Sequence, residues 1–305
     1  MTIKEFIENY SEDSQCKASF IQYRFNAGVI CKKCGNREHY WLSTVEQFKC
    51  KGCGFRTTLR SGTVLQASKL PYSYWFMAMY LMTFTKKGLS ALELQSQLGH
   101  KRYQPVWEMM HKIRIAMGKR DDQYNLSGKL EMDEAFFRTV NELKRGEIIK
   151  RGKGSQLQTK VLVMAESERV PAARRRGKSR QCKYFKMEVI EDLKSETINE
   201  VASRQVETGS TVTTDAYTSF KRLHEQVGKH KPVNVERVPA SKALPWVHVA
   251  ISNSKRTLLS TYHRINGEYL QNYLNEFCYR LNRRYIKSNI FERLLAVVVI
   301  MTWFN

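Results

Sequence analysis

Leu130-Glu131-Met132-Asp133-Glu134-Ala135-Phe136-Phe137 sets three acids inside an otherwise apolar, strand-forming run. An acid in a buried strand is costly unless something pairs it, so this run predicts both a core strand and a site. A second acid, Asp215, closes the β-branched run Thr211-Val212-Thr213-Thr214. Pro245 then opens a predicted helix that carries His248 and Lys255, seven residues apart and so on one face. Two strand-borne acids followed by a His and a Lys suit a metal-dependent phosphoryl-transfer site.

Outward from Asp133 the pattern is α/β. Leu130–Val140, Lys160–Glu166 and Tyr184–Glu191 read as strands joined by long basic loops, hence antiparallel. Ser195–Val206 reads as a helix capped by Ser195, and Thr211–Thr214 as a fully buried fourth strand. A helix over Ala216–Gln226, a fifth strand over Val233–Val238 and the His248 helix complete the order. This is the order of an RNase H-like domain with a mixed five-stranded sheet. In that layout the first and fourth strands are neighbours, which brings Asp133 opposite Asp215. Glu131 shares the face of Asp133 and could be an accessory acid, whereas Glu134 should point away. Asn266–Arg284 reads as an amphipathic helix that closes the core.

Charge narrows the partners. The chain carries 51 Lys and Arg against 29 Asp and Glu, a net charge of +22. Such an excess points to a polyanion, with nucleic acid the leading choice over an anionic membrane. The apolar runs Trp75–Phe84 and Leu294–Phe304 are too short to cross a bilayer, and Met1-Thr2-Ile3-Lys4-Glu5 is unlike a secretion signal. A cytoplasmic, nucleoid-associated location is expected. The loops Lys150–Ser155 and Arg174-Arg175-Arg176-Gly177-Lys178 track phosphates or form a solvated face.

The N-terminal third holds a different unit. Cys31-Lys-Lys-Cys34-Gly35 and Cys50-Lys-Gly-Cys53-Gly54 are paired knuckles whose four thiolates suit a tetrahedral structural zinc. The competing reading is two redox pairs or four unrelated thiols. Cys16, Cys182 and Cys278 have no partner at metal spacing. Beyond the ribbon, Pro71 opens one helix and Ser90 caps a second that Gly99 stops. A third carries Val106, Met109, Met110, Ile113 and Met117 at helical spacing. The set reads as a helix-turn-helix-like DNA-binding segment exposing Lys101, Arg102, Gln104 and Lys112, or else as a plain three-helix packing module. The expected domains are 1–62 (N-terminal helix and four-cysteine zinc ribbon), 63–125 (helix-turn-helix-like) and 126–305 (RNase H-like catalytic).

Taken together, the chain resembles the bacterial insertion-sequence transposases that join an N-terminal zinc ribbon to a DDE-type RNase H-like domain. The matching pieces are the two knuckles, Gly88-Leu-Ser-Ala-Leu-Glu-Leu-Gln, Leu130-Glu-Met-Asp-Glu, Thr213-Thr-Asp215-Ala-Tyr217 and Ser254-Lys255-Arg256, followed by Tyr273–Arg283. The resemblance implies binding to terminal inverted repeats, strand cleavage there and joining to target DNA by a homodimer or larger assembly. It implies that Asp133, Asp215 and His248 ligate Mg2+ or Mn2+, with Lys255 and Arg256 on DNA phosphates. His248 stands where that family typically has Glu, a DDHK variant. An imidazole removes one negative charge and suits manganese better than magnesium. The alternatives are a packed core histidine in an inactive, DNA-binding regulator, or a nuclease that cuts without joining.

Overall fold

The computed structural model describes residues 1–85, 87–140, 152, 155–171, 179–234, 239–286 and 289–303. The basic loop with Arg174, Arg175 and Arg176 lies outside these, as does most of the basic loop that ends at Ser155. The chain divides into two compact units, Met1–Arg120 with Tyr285–Asn305, and Asp121–Arg284.

The first unit begins with α1 (Ile3–Tyr10), closed by a Thr2–Glu5 capping box, and α2 (Asp13–Ala27). A small antiparallel sheet follows, of β1 (His39–Leu42), β2 (Gln47–Cys50) and β3 (Arg56–Thr58) in that order. Three helices come next: α3 (Tyr72–Phe84), α4 (Ala91–Leu98) and α5 (Tyr103–Asp121). Ser90 Oγ accepts from Glu93 N–H, and Gly99 ends α4 at φ 61°, as the cap residues predict. Val106, Met109, Met110, Ile113 and Met117 are all buried, so the expected apolar face of α5 is the one that packs.

The second unit is built on a five-stranded sheet ordered β6-β5-β4-β7-β8. Its strands are β4 (Lys129–Arg138), β5 (Gln158–Arg169), β6 (Arg180–Ile190), β7 (Thr211–Asp215) and β8 (Lys229–Val233). β4, β5 and β6 pair antiparallel, while β7 pairs parallel to β4 and to β8. This mixed sheet, with the first and fourth strands adjacent, is the RNase H-like arrangement. Alternation along β4 sends Leu130 and Met132 to one core with α6 (Ser195–Gln205). Ala135 and Phe137 go to the other, with α8 (Pro245–Thr261) and α9 (Leu270–Asn282). The short helix α7 (Ala240–Ala243) precedes α8.

Four local expectations are corrected. Ala216–Gln226 forms two 3₁₀ turns, Thr218–Phe220 and Leu223–Glu225, rather than one helix. Its buried anchors Phe220 and Leu223 are three residues apart, which matches a three-residue turn. The fifth strand of the described sheet, Lys229–Val233, begins earlier than the expected Val233–Val238, of which residues 235–238 lie outside the described residues. As an edge strand it needs little apolar content, and its exposed Lys229 and Lys231 guard the edge. β7 is buried only at Val212 and Thr214, because the α8 side of the sheet covers β4 and β5. Lys194 rather than Ser195 is the cap residue of α6, and Asp192 Oδ1 holds the entry by accepting from Lys194 N–H and Thr197 Oγ1–H.

The last helix, α10 (Ile290–Ile300), belongs to the first unit and not to the catalytic domain expected to run to residue 305. Phe291, Leu294, Leu295 and Val298 are fully buried, and Phe291 sits 5.8 Å from Phe6 and 5.9 Å from Phe76, ring to ring. Arg24 donates to Val299 O at 2.9 Å and Val64 N–H to Val298 O at 3.0 Å. The apolar run therefore completes a core that α2 and α3 begin.

The end of the second unit is clamped by polar contacts. Arg283 pairs with Asp121 at 2.7 Å with both side chains buried, and Asn282 donates to Asp121 Oδ2 at 3.1 Å while accepting from Phe185 N–H at 2.7 Å. Removing Asp121 strands a buried guanidinium. Asp121→Ala is expected to lose about 3–5 kcal/mol, read from the urea midpoint of a folded chain. An unchanged midpoint would show that the pair contributes nothing net.

Candidate functional site

The register of two parallel strands builds the site. β4 and β7 pair as far as Glu131 opposite Thr213, and two residues further each strand presents an Asp. Asp133 and Asp215 thus lie at the carboxyl end of a parallel pair, where open α/β sheets bind ligands. One carboxylate oxygen from each of Asp133, Glu134 and Asp215 lies within 4.8 Å of the others. Asp133 Oδ1 accepts from Glu134 N–H at 2.9 Å, and Asp215 Oδ1 from Tyr217 N–H at 3.2 Å. Glu134 was expected to point away. Its backbone does alternate to the α6 side, but no paired strand walls it off from Asp215 beyond Glu131, so its longer side chain reaches the pair.

α8 brings the remaining residues. Its buried stripe Val247, Ala250, Ser254 and Leu258 packs it along β4 and β5. His248 then faces Asp133, with Nε2 3.8 Å from Oδ2. That nitrogen is buried and has no hydrogen-bond partner among the described residues, unlike a satisfied core histidine. Lys255 lies beside Phe137, its Nζ 5.6 Å from the ring centroid, and burial lowers its pKa. Phe137 is four residues, roughly 13 Å of strand, beyond Asp133, and seven helical residues rise roughly 10 Å. The Lys is therefore displaced from the acids along the same groove. It rims a cavity with Arg138, Leu258, Tyr262, His263 and Arg264, while Arg256 is exposed.

Glu131 has an unexpected partner. Its Oε2 accepts from the backbone N–H of Trp246 at 2.7 Å and of Val247 at 3.1 Å. Burial pushes its carboxyl up to about 7, against the lowering effect of those two N–H groups. Nothing local in the sequence signals that contact, since the donors lie more than a hundred residues away.

The four cysteines converge in the first unit. Their sulfurs lie within 4.8 Å of one another, with Cys31–Cys53 and Cys34–Cys50 each at 3.5 Å. A tetrahedral zinc with Zn–S of about 2.3 Å needs sulfurs about 3.8 Å apart, so the cage fits the ion. The knuckles repeat one geometry: Gly35 N–H bonds Cys31 O and Gly54 N–H bonds Cys50 O, with φ of 74° and 71° that only glycine adopts at ease. Divalent metal likewise fits the other site, by its clustered carboxylates and the orphaned imidazole nitrogen facing them.

The candidate DNA-binding side chains are not equivalent. Lys101, Arg102 and Gln104 are exposed, with Gln104 bonded to Glu108 at 3.0 Å. Lys112 is half-buried, its Nζ 4.4 Å over the Trp303 ring, so its first contact is an aromatic face rather than solvent.

Residues 125–282 match the ISXO2-like transposase domain, and residues 11–56 match a transposase zinc-ribbon domain. The chain belongs to the ISXO2-like transposase family. Within that match lie Asp133, Asp215, His248 and Lys255; within the ribbon match lie all four knuckle cysteines. Among solved structures this transposase is similar to the Mos1 transposase paired-end complex with left transposon end, at 10% identity over 74% of this chain and 79% of that one, TM-score 0.30. It is also similar to the Mos1 mariner paired end complex with Mn, at 11% identity over 76% and 88%, TM-score 0.28. No curated protein matches it in sequence. Among the described residues no helix is long and apolar enough to cross a membrane.

Proposed function

We propose that this transposase binds the terminal repeats of a mobile element as a homodimer or larger assembly, cuts DNA there and joins the free end to target DNA. The observation that carries the reading is the meeting of Asp133 and Asp215 at the open end of β4 and β7, with His248 Nε2 turned toward Asp133. Asp133, Asp215 and His248 would hold Mg2+ or Mn2+, with Glu134 close enough to add a carboxylate oxygen. Bound there, the metal supplies Lewis-acid polarisation of phosphate oxygens and lowers the pKa of a water or 3′-hydroxyl nucleophile.

The protein's own groups do the rest. The carboxylates concentrate negative charge at the open end of β4 and β7, a locus that a divalent metal would neutralise. Lys255 and Arg256 hold phosphates along the groove; burial disfavours the charged form of Lys255, and an anionic phosphate beside it would favour that form again. Lys101, Arg102 and Gln104 contact the element end, and Lys112 joins them only by leaving Trp303. Arg174, Arg175 and Arg176 would add phosphate contacts. Zinc held by Cys31, Cys34, Cys50 and Cys53 keeps the ribbon folded and takes no part in chemistry.

A labelled duplex carrying the element's end, incubated with Mg2+ and Mn2+ in parallel, tests the reading. Cleavage followed by joining supports it; tight end-specific binding with no cut in either metal would leave an inactive regulator instead. The imidazole also sets the ion. The wild-type chain is expected to prefer Mn2+, and His248→Glu to shift relative activity toward Mg2+ by about tenfold, since a carboxylate restores the hard oxygen ligand. An unchanged Mn2+/Mg2+ ratio in that variant would take His248 out of the ligand set.

A further inference from the structure

Glu131 is the acid of the Leu130–Phe137 run that the metal reading leaves without a task. It does not join the cluster of Asp133, Glu134 and Asp215. It lies two residues before Asp133 on the same strand face, and its Oε2 takes the N–H groups of Trp246 and Val247. These are the second and third residues of α8, whose amides a cap side chain ordinarily satisfies. Leu244, at the cap position, has no side-chain acceptor to offer, and Pro245 has no N–H. His248 is the next residue, its N–H bonded to Leu244 O at 3.2 Å as the first backbone turn closes.

We propose that Glu131 is a positioning residue: as an N-cap supplied from β4, it locks the first turn of α8 so that His248 is held against Asp133. The inference rests on the reading above, in which His248 and Asp133 share a metal. The two elements are tied at Glu131 and the Trp246 and Val247 amides, and each then carries a ligand one or two residues further on. A carboxylate at this end also meets the positive pole of the helix, which strengthens the clamp. Without it, two amides at the helix start lose their acceptor and the first turn frays. His248 sits in that turn.

The test is Mn2+ binding to the zinc-loaded full-length chain, by isothermal titration, for wild type, Glu131→Ala, Glu131→Gln, His248→Ala and the Glu131→Ala/His248→Ala pair. Glu131→Ala is expected to weaken binding about 10- to 100-fold, the range for residues that orient a ligand. Gln keeps an acceptor oxygen and should stay within a few-fold of wild type. Acting through His248, the Glu131 substitution should add almost nothing once His248 is gone, a coupling that loss of general stability would not produce. Hydrogen exchange at the Trp246 and Val247 amides should accelerate in the Ala variant and stay slow in the Gln variant. Glu131→Met, close in volume and without an acceptor at that place, serves if the Ala variant does not fold. Wild-type affinity in Glu131→Ala, or an equal loss with and without His248, overturns the proposal. A wild-type chain that binds no Mn2+ beyond its zinc site overturns the metal reading itself.

Discussion

Asp133→Asn and Asp215→Asn are each expected to cut strand cleavage by about 10³-fold or more, about 4 kcal/mol of transition-state stabilisation, with end-DNA binding unchanged. Each substitution removes one negative charge and one strong oxygen ligand from a locus where only a few groups converge. The fold should hold. Asn at 133 can still accept from Glu134 N–H, and Asn at 215 from Tyr217 N–H, which are the contacts the native carboxylates make within their own segments. Binding should hold as well, because the basic residues that would contact DNA lie on α5, on α8 beyond His248 and in the loops. Gel-shift affinity, thermal midpoint and a labelled-duplex cleavage assay separate these outcomes. Near-normal cleavage by either variant would remove that residue from the site.

Zinc removal should have the second-largest effect. β1 and β2 have four residues each and β3 three, and within these strands only Phe48, Cys50 and Thr57 are buried. So little burial cannot offset the entropy of ordering three strands, which costs roughly 1–2 kcal/mol per residue. Zinc bound by the four thiolates would supply the difference; structural zinc contributes on the order of 10 kcal/mol at neutral pH. Cys50→Ser or exhaustive chelation is therefore expected to release one zinc and to unfold residues 31–58. Their amide protection would collapse while that of β4, β5 and β6 persists. A ribbon that keeps its protection without metal would mean that the thiols are ordinary core cysteines.

How much of this architecture is legible in the amino-acid sequence depends on how local the physics is. The cysteine spacing specifies its own turn geometry, and the structure closes both knuckles with a positive-φ glycine in the same way. Asp133 and Asp215 are legible because an acid in an apolar or β-branched run is costly without a partner, and strand order then brings them together. The strands and the apolar face of α5 follow from periodicity. Other features depend on tertiary partners. Glu134 reaches Asp215 only because β4 and β7 stop pairing at Glu131 and Thr213. Glu131 finds its donors on a helix start that no local pattern connects to it. The run Leu294–Val299 is plainly core, yet nothing in it says that its core is the first unit's. Lys112 reads as a surface cation until Trp303, far along the chain, comes to lie beneath it.

Pulsed electron paramagnetic resonance of Mn2+ bound to the zinc-loaded chain reports the ligands of the proposed centre without reliance on turnover. A ¹⁴N coupling from a directly bound imidazole is predicted in the wild type. It should vanish in His248→Ala, and Mn2+ binding itself should be lost or sharply weakened in Asp133→Asn and Asp215→Asn. A wild-type spectrum without that nitrogen, or Mn2+ binding indifferent to both aspartates, would contradict a metal centre built from Asp133, Asp215 and His248.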